Sequence, residues 1–167
     1  DASGCTVLTS LDCGSNQLIS LDVSQNRALK TLICAGKSGK TGVLSHLNVS
    51  GCSAMTTLDC QRNQLTSLDV SGCSSLKTLQ CSYNQIADLK ASGCSSLIDI
   101  NYQSNPLTNI DLSGCEALTL FSCKVIGIKK LNLSGCKSLV EVYCNSSVEF
   151  LDLSGCESLT TFSCSNN

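Results

Sequence analysis

The chain has no tryptophan, one proline, one histidine and one methionine, and aromatic residues fill only 4% of its 167 positions. No stretch approaches the ~20 apolar residues that a membrane helix needs. That argues against membrane insertion by a helix. Charge is also scarce: Asp, Glu, Lys and Arg together make up 14%, the formal charge is -2 and the pI is about 5.2. Nothing here pulls strongly toward nucleic acid or anionic lipid. No secretory signal is visible, because the chain opens Asp1-Ala2-Ser3-Gly4-Cys5. The one histidine, His46, occupies a solvent-facing slot beside Leu47. No motif places a serine and a carboxylate around it, which argues against a hydrolytic triad.

Cysteine, by contrast, is abundant and ordered. Cys13, Cys34, Cys60, Cys81, Cys123, Cys144 and Cys164 form one ladder with steps of 21, 26, 21, 42, 21 and 20 residues. Tyr102 fills the rung inside the double step. Cys5, Cys52, Cys73, Cys94, Cys115, Cys136 and Cys156 form a second ladder, with Asn26 on its missing rung. The two account for all 14 cysteines. A fixed period in this range marks a solenoid, in which each repeat is one coil stacked on the last.

The coil from Leu76 to Ser96 contains two similar halves. One reads Leu76-x-x-Leu79-x-Cys81-x-x-Asn84-x-Ile86, the other Ile86-x-x-Leu89-x-Ala91-x-x-Cys94-x-x-Leu97. Inward residues two apart, such as Leu79 and Cys81, have strand spacing. Turn residues separate the halves, as in Ser71-Gly72-Cys73. No window carries a useful helical period. About six side chains per coil point inward, each stabilising by roughly 1.5–3 kcal/mol when fully buried. The pattern restarts at Leu8, Leu29, Met55, Leu76, Leu97, Leu118, Leu139 and Leu159, which predicts about eight coils, the last incomplete.

This pattern resembles the bacterial leucine-rich repeat. The family motif LxxLxLxxNxL stands at Leu8–Leu18 and recurs at Met55–Leu65, Leu76–Ile86 and Leu97–Leu107. The nested second half, LxxLDVSxC, is similar to the variant with two half-repeats per 21 residues, sometimes called the IRREKO type. The resemblance implies a leucine-rich repeat right-handed solenoid, mainly β with little helix, carrying a strand on each of two faces. It implies one domain over residues 1–167, a fragment or mature piece without clear caps. It further implies that Asn16, Asn63, Asn84 and Asn105 bond the turn backbone as an asparagine ladder. Lys37, Ile126 and Ser147 stand on that rung elsewhere, so local distortion is expected in those coils.

Three readings compete for the cysteines. Their number approaches that of a disulfide scaffold. Yet the first ladder occupies an inward slot that Val23, Val49, Val70, Leu112 and Leu133 fill in the other half, where cysteine acts as a small hydrophobe. The second occupies the asparagine slot. Rungs about 4.7–4.9 Å apart would strain a disulfide, whose Cβ atoms prefer about 3.8 Å. There is no CxxC pair, and ladders spread thiols rather than converging them on a metal. Buried thiols fit the register best, and no cofactor or metal is expected.

Ala35-Gly36-Lys37-Ser38-Gly39-Lys40-Thr41 is similar to a phosphate-binding loop. Cys34 stands where that motif's first glycine belongs, and the segment returns at once to the repeat instead of entering a helix. It reads as a five-residue insertion with a basic tip. A second-half column reads Asp22, Asn48, Asp69, Lys90, Asp111, Asn132, Asp152. No two aspartates are neighbours, as stability requires of stacked carboxylates. Tyr102 must either fit among small neighbours or shift its coil, and its hydroxyl needs a partner.

A solenoid offers long parallel rows of side chains, and such surfaces commonly bind partners. The resemblance places the binding face on the LxxLxLxxN strands. Arg62 with Tyr83 forms the first candidate contact, and Tyr143 the second, since Tyr and Arg are enriched at hot spots. Asp59, Gln80, Asn101, Gln103 and Lys124 complete the surface. A plain solvated strand face is the competing reading. No convergent acid, base and nucleophile exists, which argues against an enzyme. The expected role is a binding or adhesion module of a bacterial cell-surface or secreted protein, recognising protein or glycan. The alternative is a structural spacer of a larger surface protein. Uncapped ends predict end-to-end association or fraying.

Overall fold

Within each coil two short strands alternate with turns, because inward leucines two apart leave only three or four residues in extended conformation. The computed structural model describes residues 2–123, 127–144 and 148–164. The asparagine halves give β1 (Ser10–Asp12), β3 (Thr31–Ile33), β5 (Thr57–Asp59), β7 (Thr78–Gln80), β9 (Asp99–Asn101), β11 (Leu120–Cys123), β13 (Glu141–Cys144) and β15 (Thr161–Cys164). The cysteine halves give β2 (Ser20–Asp22), β4 (His46–Asn48), β6 (Ser67–Asp69), β8 (Asp88–Lys90), β10 (Asn109–Asp111), β12 (Lys130–Asn132) and β14 (Phe150–Asp152). All ladders are parallel and in register with the repeat: Leu58 faces Leu79 and Leu89 faces Ile110. Eight strands on one face and seven on the other give seven full turns with an incomplete last one. Among the described residues there is no helix.

The core is the slab between the two faces. Leu32, Leu58, Leu79 and Leu89 are wholly buried, as are Leu29, Met55, Leu76 and Leu97 at the turns. The first cysteine ladder lies in this slab, with Cys34, Cys60, Cys81, Cys123 and Cys144 buried. No disulfide joins any of the 14.

The turns explain both ladders. Asn84 donates through Nδ2 to Cys60 O, 24 residues back at 3.0 Å, and to Cys81 O at 3.1 Å. Its Oδ1 accepts the Leu65 N–H at 3.1 Å. Asn105 repeats this with Cys81 O, Tyr102 O and Ile86 N–H. Asn63 and Asn16 also bond the turn carbonyls, so the expected asparagine ladder is present.

In the other half the thiol takes the same place. Cys94 Sγ donates to Val70 O at 3.2 Å and Cys115 Sγ to Ala91 O at 3.3 Å, again 24 residues back. Cys136 donates likewise to Leu112 O. For Cys115, Cys136 and Cys156 no acceptor is needed, because the N–H groups that face them already bond backbone: Ser96 N to Ser74 O, Ala117 N to Ser95 O and Ser138 N to Glu116 O. Asn26 shows the difference. Its Nδ2 reaches Ala2 O and Cys5 O, but its buried Oδ1 has no partner. The cysteine turn is completed by glycine: Cys73 N bonds Val70 O with Gly72 at φ +80°, a left-handed angle that suits glycine.

The Asp/Asn column does not form an ion-pair ladder. Asp69, Lys90 and Asp111 are neighbours in register, but Lys90 pairs with Asp88 of its own strand, at 3.9 Å. Asp22, Asp69, Asp111 and Asp152 each accept the N–H two residues on, closing the turn. For Asp22 and Asp152 these bonds, led by the Ser24 and Ser154 N–H, hold the carboxyl below its ordinary pKa.

Each face is broken once. One sheet runs β1-β3-β5-β7-β9 and a second β11-β13-β15; on the other face β2-β4 stands apart from β6-β8-β10-β12-β14. The first break adjoins Tyr102, whose ring on a cysteine rung stacks on Phe121 with centroids 6.0 Å apart. The coil has therefore shifted rather than absorbed the ring, and the hydroxyl finds its partner in Ser122 O at 2.9 Å. The second break follows the insertion, on the face opposite it; on the Lys37 rung the strands β1, β3 and β5 stay in register, and Ile126 and Ser147 lie outside the described residues.

Exchanging the two donors should fail in both directions. Asn84→Cys leaves the Leu65 N–H without an acceptor, and Cys115→Asn buries an amide oxygen without a donor, because the Ser96 N–H it would face already bonds Ser74 O. Each should lower the unfolding free energy by about 1–3 kcal/mol in denaturant titrations; equal stability of either swap would contradict the division of labour.

Burial pushes the thiols up, Cys73 to about 11 and Cys81, Cys94, Cys136 and Cys144 to about 12. Cys5 and Cys164 are exposed, and Cys13 and Cys156 partly so. At pH 8 a bulky thiol reagent should label Cys5 and Cys164 promptly and the buried cysteines only on unfolding. An unfolded thiol ionises near ~8.5. Between there and about pH 12 the unfolded chain binds fewer protons than the folded one, so stability falls as pH rises. Denaturant midpoints should hold steady below pH ~8.5 and drop above it; a flat profile to pH ~10.5 would refute the assignment.

Candidate ligand-binding face

On the asparagine-half strands the first and third residues point outward and the middle one inward, as the burial of β5 and β7 shows. The turn that follows carries a left-handed residue immediately before each asparagine: Ser15, Arg62, Tyr83 and Ser104 have φ of 56–58°. The asparagine bonds fix this shape. A non-glycine residue held there costs roughly 1–2 kcal/mol. Arg62 and Tyr83 occupy these positions in successive coils, and the Arg62 guanidinium lies 4.4 Å from the Tyr83 ring centroid. The structure thus brings the two residues together as a cation–π pair, with Tyr83 51% exposed.

The insertion buttresses this pair. Gly36 N bonds Gln61 O and Gly42 N bonds Arg62 O, while Gln64 Nε2 bonds Gly42 O. A Cβ at Gly36 would collide with the Arg62 carbonyl, and one at Gly42 with the Asn63 side chain. The exposed tip, Lys37 to Thr41, closes with Lys40 N on Lys37 O.

The other candidates divide. Asp59 is engaged in its own turn, accepting from Gln61 N and Gln61 Nε2. Asn101 does the same for Gln103 N. Gln80 Nε2 donates to Asp99 Oδ2 at 3.0 Å. Tyr143 donates to Glu141 Oε2 at 3.0 Å, which raises its phenol pKa. Lys124 lies outside the described residues. Gln80, Asn101 and Gln103 converge on a cleft of about 540 Å³ between β9 and β11. Its rim holds Ile98 and Leu120, each more than half exposed. The sequence reading missed these two. Their signal was register: Leu120 stands in a column otherwise filled by Ser10, Thr31, Thr57, Thr78, Asp99, Glu141 and Thr161.

His46 Nδ1 lies 2.8 Å from Ser45 Oγ, which also bonds Ile19 O. The hydroxyl proton directed at Ile19 O is not available to the imidazole. No group of three His, Cys, Asp or Glu side chains converges on a metal-sized point among the described residues. No helix long and apolar enough to cross a membrane is present among them.

A β-solenoid with an asparagine turn ladder and inward leucines is the architecture of leucine-rich repeats. A family model described as leucine-rich repeats (2 copies) matches residues 53–93. The functional domain of InlJ from Listeria monocytogenes, a structure that includes a cysteine ladder, is 30% identical with a TM-score of 0.69. That match covers 96% of this chain and 37% of the InlJ chain, so this chain spans little more than a third of it. No curated protein matches significantly. The chain is a leucine-rich repeat protein of the bacterial type.

Tyr83→Gly should leave stability unchanged or raise it by up to ~1 kcal/mol. Relief of the left-handed strain offsets a surface cation–π contact worth about 0.5–1 kcal/mol. Thermal and denaturant unfolding check this; a loss above ~1 kcal/mol would show that Tyr83 is kept for the fold.

Proposed function

We propose that the chain is a non-catalytic binding or adhesion module of a bacterial cell-surface or secreted protein. It recognises a protein or glycan ligand through the face of the asparagine-half strands. The observation that carries this reading is the Arg62–Tyr83 pair: two hot-spot residue types, stacked, Tyr83 exposed and Arg62 partly so, and held on strained backbone that glycine would occupy at lower cost. The surface location draws on the likeness to InlJ.

The test is a binding screen of the purified chain against host-cell proteins and a glycan array. Arg62→Ala with Tyr83→Ala is then compared on the ligand found. Affinity should fall by about 2 kcal/mol or more, some thirtyfold, for hot-spot contacts. Undiminished binding would remove this pair from the contact surface.

A further inference from the structure

The break between β9 and β11 is more than a discontinuity in the sheet. Elsewhere on this face the strand entrances are tied by bifurcated bonds: Ile98 N and Asp99 N to Lys77 O, and Val140 N and Glu141 N to Thr119 O. Thr119 N and Leu120 N make no such bonds to Ile98 O among the described residues. At the strand exits Cys81 N bonds Asn101 O, but the Ser122 carbonyl is met by the Tyr102 hydroxyl instead of the Tyr102 N–H. Two strand edges therefore face each other with open backbone donors and acceptors. An open edge is a template for another chain.

The cleft also reaches the core. Ile100 is only partly buried, whereas its counterparts Leu58, Leu79, Phe121 and Val142 are at most 1% exposed. Ile98 and Leu120 stand at the mouth, 59% and 51% exposed. Asp99 is the one charged residue lining the cleft among the described residues. Its Oδ2 is oriented by Gln80, and Glu141 follows one strand beyond, in register with Leu120. A volume of about 540 Å³ is within the usual range of ligand sites.

We infer that this seam is a docking slot for an extended, basic peptide segment of a protein partner. The segment's main chain pairs with the open edges of β9 and β11, and one apolar side chain lodges against Ile100. Basic residues flanking that side chain meet Asp99 and Glu141. Strand addition supplies affinity through the main chain and selectivity through alternate side chains. The inference rests on the reading that this face binds a protein, and it names the ligand chemistry at a position separate from the Arg62–Tyr83 pair.

The probes are three ten-residue peptides measured by fluorescence anisotropy: alternating Lys-Leu, the same with alternate amides N-methylated, and alternating Glu-Leu. The Lys-Leu peptide should bind at least about tenfold more tightly than the other two. Tyr102→Cys restores the regular rung, lets β9 pair with β11 and should abolish binding. Leu120→Thr restores the usual column residue and should weaken it several-fold, while Arg62→Ala and Tyr83→Ala leave it unchanged. If Tyr102→Cys does not fold, amide exchange on the unaltered chain decides: Thr119 and Leu120 should gain protection with the Lys-Leu peptide. Equal binding of the three peptides, full binding by a folded Tyr102→Cys, or no gain in protection overturns the slot. Loss of a screened ligand with Arg62→Ala and Tyr83→Ala but not with Tyr102→Cys would overturn the slot and leave the proposed function standing.

Discussion

The bond that organises this protein runs, at most of the described turns, from a side chain to a backbone carbonyl of the coil before it. In the asparagine halves it is Asn84 Nδ2 to Cys60 O; in the cysteine halves it is Cys94 Sγ to Val70 O. Strands of three residues bury little on their own, and parallel pairing of such pieces is weak without a fixed register. The turn bond supplies that register in the half-coils that carry it. It also satisfies a carbonyl that would otherwise be buried without a partner, at a cost of about 1–3 kcal/mol.

The two halves differ in what the turn asks for. The asparagine turn leaves an N–H, such as that of Leu65, that only a side-chain oxygen reaches. In the turns at Cys94, Cys115 and Cys136 that N–H is already paired with backbone, so an acceptor facing it is a liability, and Asn26, in the same slot as the cysteines, leaves its Oδ1 without a partner. A thiol is a weak donor in a small apolar body. It closes the carbonyl without adding an oxygen to satisfy. The abundance of cysteine in this chain thus has two separate causes: inward packing in the first ladder and donor-only capping in the second.

Much of this was legible in the pattern of residues. The 21-residue period gave the solenoid, the slot shared by Asn26 and the second ladder gave their equivalence, and Tyr102 stood out as the one bulky residue on its ladder. Three things were not legible, each for a physical reason. The Asp/Asn column reads as charge alternation, but a carboxylate two residues before a free N–H bonds locally before it reaches the next coil. The left-handed backbone under Arg62 and Tyr83 is set by the asparagine that follows, and neither residue type announces it. The pairing of Arg62 with Tyr83 was an adjacency in register, and the stacking came from the turn that aims both side chains the same way.

The two sheet breaks follow from the same regularity. In a stack held by identical bonds every 21 residues, a coil that departs from the pattern cannot spread its misfit through a large core, because it touches only its two neighbours. The strain is released at one seam. The insertion after Cys34 is accommodated on one side by glycines packed under Arg62 and Asn63, and the opposite face opens between β4 and β6. Tyr102 opens the asparagine face between β9 and β11, while β8, β10 and β12 continue unbroken behind it. A repeat protein therefore acquires individuality by substitution on an inward rung as readily as on its surface. On this chain the features that break the repeat, the buttressed Arg62–Tyr83 pair and the seam at Tyr102, lie on one face.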